Sequence, residues 1–216
     1  MMLEKFIKEV ESLGLVVTKE KLDQLEIIYN TLIETNKTMN LTRITDKEEV
    51  YIKHFYDSLT LAKIYDLSKV ETLCDVGTGA GFPGIILKIF YPNLKITLID
   101  ALLKRVNYLN NLIEKLNLTD IKAYHIRAED LIKKGKTFDI VTARAVASLP
   151  KLLNWTMPLV NDNGSFLVMK GNIEEELKES QKIISKNNWI VNKNIAFDLP
   201  NNKGFRTLLE IKKNKD

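Results

Sequence analysis

Four of the nine glycines in this 216-residue chain lie between positions 77 and 84, in the segment Asp75-Val-Gly77-Thr-Gly79-Ala-Gly81-Phe-Pro-Gly84. The apolar run Thr72–Val76 before them predicts a strand, and Pro83 with the isoleucines after it predicts the first turn of a helix. Glycine permits positive φ and lets a ligand touch the main chain. A strand, a tight turn and a helix N-terminus form the place where open α/β sheets bind ligands.

From residue 71 onward, short β-rich runs alternate with helical ones, which predicts a parallel α/β sheet. Only the turn-rich segment 200–204 separates the last two runs, so we predict an antiparallel hairpin at the sheet edge. The seven predicted strands are Thr72–Val76, Ile96–Ile99, Ile121–Ile126, Phe138–Ala143, Ser165–Met169, Trp189–Phe197 and Arg206–Ile211.

The first 70 residues predict helices instead, because apolar residues recur there every three or four positions. Leu3 to Val10 and Leu22 to Leu32 form two such stretches, separated by Gly14 and followed by a break at Asn36–Asn40. A third stretch runs from about Lys47 to Tyr65. We therefore predict a helical cap over residues 1–70 and a Rossmann-like α/β domain over residues 71–216, together forming one compact unit.

Composition excludes several classes of protein. No apolar run approaches the ~20 residues that span a bilayer, and the N-terminus lacks a signal sequence, so we expect a cytoplasmic protein without membrane contact. A single cysteine, Cys74, allows neither a disulfide framework nor a zinc cluster. Residues 1–70 carry 10 Lys/Arg against 12 Asp/Glu and residues 71–216 carry 22 against 16, so an anionic partner is expected at the second segment, although a solvated Lys-rich surface is the alternative.

The glycine turn alone leaves its ligand open. Gly79 to Gly84 also satisfies the dinucleotide pattern G-x-G-x-x-G, and Asp100 at the end of the next strand suits the ribose of NAD or of S-adenosylmethionine (SAM). Asp75 favours SAM, because a carboxylate attracts a methionyl ammonium and sulfonium but repels a pyrophosphate. A phosphate-binding P-loop is excluded because no Gly-Lys-Ser/Thr follows. A purely structural turn is the third possibility.

Strand ends predict the remaining ligand contacts, because ligands of such sheets lie at the carboxyl ends of the strands. Asp75 and Gly77 end the first strand, Asp100 ends the second, and Ala128 and Glu129 follow the third, where they can flank an adenine. Glu129 also suits the first turn of a helix.

Arginine usage points to the same edge. The chain has 27 lysines and five arginines, so lysine is its usual cation, and Arg105, Arg127 and Arg144 all follow strand ends. A planar, multidentate donor there can hold a guanine edge or a phosphate, although a structural salt bridge explains any one of them.

Several motifs support a resemblance to a known family. Besides the glycine turn they are Asn40-Leu-Thr42, His54-Phe-Tyr-Asp57-Ser58, Arg144-Ala-Val-Ala-Ser-Leu149 and Lys170-Gly171. In this combination the chain resembles, essentially end to end, the glucose-inhibited division protein B family of bacterial 16S rRNA guanine-N7 methyltransferases. It departs from the family at Lys53, where arginine is frequent, and at Phe82, where leucine is common.

The resemblance implies a class I methyltransferase with a seven-stranded, mostly parallel sheet. It would transfer methyl from SAM to N7 of a guanine in the 530 loop of 16S rRNA, position 527 in standard rRNA numbering, leaving S-adenosylhomocysteine. The implied partner is 16S rRNA or the small ribosomal subunit, and we expect a monomer. With the strand-end argument, the expected cofactor contacts are Asp75, Gly77, Gly79, Gly81, Phe82, Asp100, Ala128, Glu129 and Arg144.

The absence of other groups agrees with this reaction. Where an exocyclic-amine enzyme carries Asn/Asp-Pro-Pro-Tyr after the fourth strand, this chain has Arg144, and Cys74 within a strand is no nucleophile. Guanine N7 already has a free lone pair, so catalysis needs alignment and electrostatics but no general base. We expect no metal, and we assign no residue a catalytic role. Arg144 and Lys170 are the predicted positioning residues. The predicted RNA contacts are His54, Arg105, Arg127 and Lys170. For His54 the alternative is a helix-capping network. An NAD(P)-dependent oxidoreductase and a catalytically inactive SAM-binding RNA module stay open as alternatives.

Overall fold

A computed structural model describes residues 2–215, in which seven strands form one sheet. The strand order is β3-β2-β1-β4-β5-β7-β6; β1 to β5 are mutually parallel, and β7 is antiparallel to both of its neighbours. The predicted sheet and its edge hairpin are thus confirmed. The strands are β1 Thr72–Val76, β2 Lys95–Asp100, β3 Ile121–His125, β4 Phe138–Arg144, β5 Val160–Lys170, β6 Trp189–Asp198 and β7 Phe205–Lys213.

The cap begins with α1 (Met2–Glu11) and α2 (Lys19–Met39). The Thr18 side chain caps α2 by accepting a hydrogen bond from the Lys21 amide. Contrary to the break expected at Asn36–Asn40, α2 continues to Met39 and ends only at Asn40, which adopts the left-handed conformation that asparagine tolerates at helix ends.

The third helical stretch, residues 47–63, changes its winding along its length. It consists of α3 (Lys47–Val50), a π-helical turn (Tyr51–Tyr56), α4 (Asp57–Leu59) and a 3₁₀ turn (Thr60–Lys63). A π turn is often found at a functional site, and this one carries Lys53 and His54. The helices of the second segment are α5 Gly84–Phe90, α6 Leu103–Lys115, α7 Ala128–Lys133, α8 Leu149–Thr156 and α9 Glu174–Lys186.

Apolar residues fill both faces of the sheet. On one face the cap packs with α5 and α6, so that Phe6 and Leu25 share a cluster with Ile85 and Leu109. On the other face, α7, α8 and α9 cover a second cluster. Because side chains alternate along a strand, Leu73 and Ile140 on the cap face imply that Asp75 and Arg144 face the cap too. The sheet therefore delivers polar side chains to a boundary between the cap and the strand ends.

Residues 2–215 contain no helix with the length and apolar character needed to cross a membrane. The same residues contain no cluster of His, Cys, Asp and Glu side chains suited to a metal ion. Cys74 is fully buried in β1, and burial raises the pKa of its thiol.

Candidate functional site

Asp75 closes the glycine turn. Its Oδ2 atom accepts hydrogen bonds from the Thr78 hydroxyl at 2.7 Å and the Gly84 amide at 2.9 Å. The Oδ1 atom is buried and has no hydrogen-bond partner within residues 2–215. Burial raises the pKa of this carboxyl to about 6 despite both hydrogen bonds. The turn thus leaves one buried carboxylate oxygen for which the chain itself supplies no donor.

The glycines of the turn serve two different purposes. A Cβ atom at Gly81 would lie 2.7 Å from Ile85 Cδ1, and one at Gly84 would collide with Leu98 Cδ2, so both glycines permit internal packing. At Gly79, with φ of 61°, the nearest atom to an added Cβ is 3.9 Å away. The main chain at Gly79 is therefore open to a ligand.

A first cavity of about 230 Å³ lies at the carboxyl ends of β1, β2 and β3. Asp100 is part of its wall, where the carboxylate accepts hydrogen bonds from the amides of Gly79 at 3.0 Å and Leu102 at 2.9 Å. The second strand end is thereby tied to the glycine turn. The lining residues are Val76, Gly77, Ile99, Asp100, Ala101, Ile126, Arg127, Ala128, Glu129, Val146 and Trp155.

These groups fit SAM. Asp100 and Glu129 of the cavity wall can accept from hydroxyl and amine groups. Asp75 is fully buried beside the turn, and its unpartnered Oδ1 adds a carboxylate charge that suits a cationic ligand. Asp75 and Asp100 at the turn and Glu129 on the cavity wall disfavour a pyrophosphate. Trp155, which also packs against the second apolar cluster, adds an aromatic wall to this cavity. Of the predicted cofactor contacts, Gly77, Asp100, Ala128 and Glu129 line this cavity. Gly79, Gly81, Phe82, the fully buried Asp75 and Arg144 do not line it.

A second cavity of about 400 Å³ lies between the cap and the ends of β4, β5 and β7. Arg144 occupies its floor: Nη1 donates to Asp57 Oδ2 at 2.8 Å and to the Lys53 carbonyl at 3.2 Å. The guanidinium carbon lies 5.5 Å from the centre of the Phe82 ring. The lining residues are Ile44, Lys53, His54, Asp57, Arg144, Ala145, Met169, Lys170, Gly171, Asn172, Glu176 and Arg206.

His54 fixes the guanidinium group from a third side. Its ring stacks on Phe82 at 5.0 Å, Nδ1 lies 3.4 Å from Arg144 Nη2, and Nε2 lies 2.8 Å from the Thr42 hydroxyl. A guanidinium only donates, so Nδ1 accepts and Nε2 carries the proton. Burial and the charge of Arg144 lower the pKa of His54 to about 3, which keeps the ring neutral. The structure thus places His54 as a support for Arg144.

Asp57 is the central acid of this cavity. Its side chain is 1% exposed, and its second oxygen, Oδ1, accepts from Arg206 Nε at 2.8 Å. Arg206 was not among the residues predicted from the sequence, because that prediction considered only the ends of parallel strands. An antiparallel strand brings its first residues to that same edge, and Arg206 is the second residue of β7.

Lys170 lies at the wall of this cavity, and its ammonium group is already bonded within the protein. Its Nζ atom donates to the Ala147 carbonyl at 2.7 Å and pairs with Glu176 of α9 at 2.7 Å. Glu176 also accepts from the Leu149 amide at 2.5 Å. The ion pair therefore holds the loop after β4 to α9.

The three arginines expected at strand ends are spread over different surroundings. Arg144 lines the second cavity, whereas Arg127 is exposed at the first. Arg105 lines neither cavity and lies 3.4 Å from Asp100 Oδ2. Arg105 thus forms the kind of salt bridge considered from the sequence, and its contact with RNA stays a prediction.

The loop after β4 separates the two cavities. Ala145, with φ of 56°, lines the second cavity, and Val146 lines the first. A Cβ atom at Gly77 would lie 2.7 Å from Val146 Cγ2, so this loop packs directly on the glycine turn. A methyl group carried at the turn and an acceptor in the second cavity would meet at this loop.

Comparison with known proteins gives a consistent result. The family model described as rRNA small subunit methyltransferase G matches residues 21–202. The chain is 44% identical to a ribosomal RNA small subunit methyltransferase G of Bacillus cereus, over 100% of this chain and 92% of that protein. The same values hold for the protein of that name from Bacillus anthracis.

Solved structures share the fold at low sequence identity. An O-methyltransferase from Bacillus cereus in complex with SAH aligns with a TM-score of 0.60 at 14% identity, covering 85% of this chain and 89% of that one. A ribosomal protein L11 methylase from Lactobacillus delbrueckii subsp. bulgaricus aligns with a TM-score of 0.58 at 16% identity, covering 75% and 79%. These neighbours have the class I SAM methyltransferase fold, which confirms the predicted fold class.

Proposed function

This chain belongs to the rRNA small subunit methyltransferase G family, and from that premise we propose that it transfers the methyl group of SAM to N7 of a guanine in the 530 loop of 16S rRNA. One observation supports the N7 atom in particular. Both carboxylates that line the second cavity, Asp57 and Glu176, are already paired with cations. The neutral His54 ring in the same cavity uses both of its nitrogens, toward Thr42 and Arg144. The cavity therefore presents no free general base, and N7 needs none.

The first cavity is the proposed cofactor site. On the cavity wall, Asp100 would accept the ribose hydroxyls, and Ala128 with Glu129 would flank the adenine. The buried carboxylate of Asp75 would attract the methionyl ammonium. When bound, SAM supplies a methyl group on a positively charged sulfur. The acids of the turn favour that charge, and the main chain at Gly79 leaves the space for close contact.

The second cavity is the proposed guanine site, where Arg144 would align the acceptor. Three fixed acceptors, on Asp57, Lys53 and His54, hold the guanidinium above Phe82. A pre-oriented donor costs little reorganisation when it binds O6 or a phosphate. Methylated guanine is cationic, so Arg144 would contact the edge or the backbone of the nucleotide and not its ring face.

The decisive experiment is methyl transfer from labelled SAM to small-subunit rRNA from cells that lack this protein, followed by mapping of 7-methylguanine. We expect one labelled guanine in the 530 loop. We also expect Arg144→Ala to lose most of this activity. The decrease in kcat, converted to a free energy, should exceed the decrease in unfolding free energy. No label in naked rRNA, in precursor particles or in mature subunits would refute the enzymatic function.

A ligand test separates the proposal from an oxidoreductase. Specific binding raises the apparent melting temperature by mass action. We expect S-adenosylhomocysteine to raise it and NAD to leave it unchanged, because Asp75 and Asp100 at the turn and Glu129 on the cavity wall repel a pyrophosphate. Stabilisation by NAD alone would contradict the cofactor assignment. An inactive RNA-binding module would bind S-adenosylhomocysteine and rRNA but transfer no label.

A further inference from the structure

Arg206 and Arg144 share one buried carboxylate. Asp57 accepts Arg144 Nη1 on Oδ2 and Arg206 Nε on Oδ1, each at 2.8 Å. The arginine side chains are 13% and 23% exposed, and both line the second cavity. One guanidinium suffices to neutralise Asp57, so the second is a positive charge in excess.

A second acid near this pair also contacts two cations. Glu49 accepts Lys53 at 2.9 Å and lies 3.5 Å from Lys203. Glu49 and Asp57 both belong to residues 47–63 of the cap, and between them these two acids contact four cations. Around Asp57, which is shielded from water, such an excess of like charge is unfavourable until an anion neutralises it. The side chains around Glu49 are 25–31% exposed, so water screens their charges more.

Strand pairing explains why the two arginines meet. Arg144 is opposite Met169 of β5, and Met169 is opposite Leu208 of β7. Arg206 lies two residues before Leu208 in the antiparallel strand, on the same face and closer to the strand-end edge. Met169, which lines the cavity between them, separates their strands without blocking either guanidinium.

Arg206 retains donors for a ligand. Nε is taken by Asp57 and Nη1 donates to the Phe205 carbonyl at 2.9 Å, but Nη2 has no hydrogen-bond partner in the described part of the chain. Arginine donors in a fixed plane match the oxygens of a phosphate. A single cation would serve for a neutral base edge, whereas two guanidiniums with excess charge favour an anionic group.

We propose that Arg206 is a second RNA-binding arginine, which together with Arg144 holds a backbone phosphate beside the target nucleotide. This inference rests on the proposed rRNA substrate. It assigns a role to a residue of the edge hairpin, outside the parallel strands that form the rest of the site. The alternative is that Arg206 only links β7 to the cap.

The test is the dissociation constant for 16S rRNA, measured by filter binding at several salt concentrations with protein saturated by S-adenosylhomocysteine. We expect Arg206→Gln to weaken rRNA binding on the order of tenfold, as for the loss of a charged hydrogen bond. The slope of log affinity against log salt should decrease by about 0.7, which corresponds to one single-strand phosphate contact. The affinity for S-adenosylhomocysteine should not change.

Lys95→Gln is the matched control, because it removes the same charge at the opposite end of the sheet. Lys95 is the first residue of β2, has a side chain 57% exposed, and pairs with Glu71 at 2.8 Å. It should leave the rRNA affinity unchanged. Arg206→Gln should fold, because Asp57 keeps its bond to Arg144.

Three results would overturn the inference. The first is an Arg206→Gln protein with wild-type rRNA affinity and salt slope but a lower unfolding free energy, which would make Arg206 a structural link only. The second is an equal loss of affinity in Lys95→Gln, which would indicate a diffuse charge effect. If Arg206→Gln does not fold, Arg206→Lys replaces it, because lysine keeps the charge without the planar donors. The third result that would overturn the inference is an unchanged rRNA affinity in Arg206→Lys. A failure of the proposed function is distinguishable, because the wild-type protein would then neither methylate nor specifically bind the rRNA.

Discussion

Asp57 and Asp75 are both fully buried carboxylates, and their partners give them different properties. Asp57 is bonded to two arginines, whereas Asp75 accepts only a hydroxyl and an amide and keeps one oxygen without a partner in residues 2–215. A buried acid with cations around it stabilises a structure that already contains those cations. A buried acid without cations has an ionised form that is unfavourable, and a cationic ligand stabilises that form.

Asp57→Asn tests the first of these residues. The change keeps the shape of the side chain but leaves two half-buried guanidiniums without their counter-charge, so we expect a loss of about 3–5 kcal/mol of unfolding free energy. Urea unfolding measures it. Asp162→Asn is the control, because Asp162 is 92% exposed and its pair with Lys213 should add nothing measurable. A loss no larger than that of the control would show that the arginines do not depend on Asp57.

Asp75 should make cofactor binding depend on pH. Folding raises its pKa from 3.8 to about 6, so the folded chain binds more protons than the unfolded chain between these values, and the stability of the ligand-free protein falls as pH rises through that window. An ammonium ligand favours the ionised form. We therefore expect the affinity for S-adenosylhomocysteine to rise about tenfold between about pH 5 and pH 7, as the carboxyl ionises.

Isothermal titration over this pH range measures the effect, with Asp75→Asn as the comparison. The variant should bind weakly and without this pH dependence, because its amide cannot ionise. A wild-type affinity that stays flat from pH 5 to pH 7 would argue that Asp75 does not face the ammonium group.

At the scale of elements, the spacing of apolar residues and of turn residues predicted all seven strands and the hairpin, because apolar residues recur along each strand and turn residues bound it. The site was predicted less completely. Arg206 was missed because its strand runs against the others, and Trp155 because an aromatic on a half-buried helix looks like core. The π turn that carries His54 has no distinct apolar period, since it continues an ordinary helical pattern.

The glycine turn offers a prediction that separates packing from binding. Gly84→Ala forces a Cβ into Leu98 and within 3.0 Å of Asp75 Oδ2, so we expect it to lower stability by about 1–3 kcal/mol. Gly79→Ala meets no atom closer than 3.9 Å, so its stability loss should be smaller, limited to the left-handed backbone. Its affinity for S-adenosylhomocysteine should fall strongly, because the methyl group occupies the open space.

Thermal unfolding and titration of both variants check this difference. Gly171→Ala is a stability control, since its Cβ would lie 3.9 Å from the nearest atom and the position has no positive φ. Unchanged ligand affinity in Gly79→Ala would mean that the ligand does not approach the turn there.

At the scale of the whole molecule, the boundary proposed near residue 70 does not divide the packing. The cluster on the cap face contains buried residues of α1, α2 and residues 47–63 together with residues of α5, α6 and the sheet. Arg144 and Arg206 also bond to Asp57 across this boundary. We propose that the cap and the α/β segment unfold as one cooperative unit, with the second cavity as the place where their polar groups meet.

Phe6→Ala tests this proposal, because a change in α1 should then be felt in the other segment. Phe6 is 1% exposed and packs edge-on against Tyr51 at 5.1 Å, so its removal should lower the unfolding free energy by about 3–5 kcal/mol. Both tryptophans, Trp155 and Trp189, lie beyond residue 70, so their fluorescence reports only the α/β segment. In a single unit, the urea midpoint from fluorescence shifts as far as the midpoint from far-UV circular dichroism. Leu3→Ala, on the same helix but 39% exposed, should shift neither by a comparable amount. The opposite outcome is a fluorescence midpoint that stays at its wild-type value while the helical signal is lost at lower urea. It would establish the cap as an independent domain. The second cavity would then be an interface between two domains that can open.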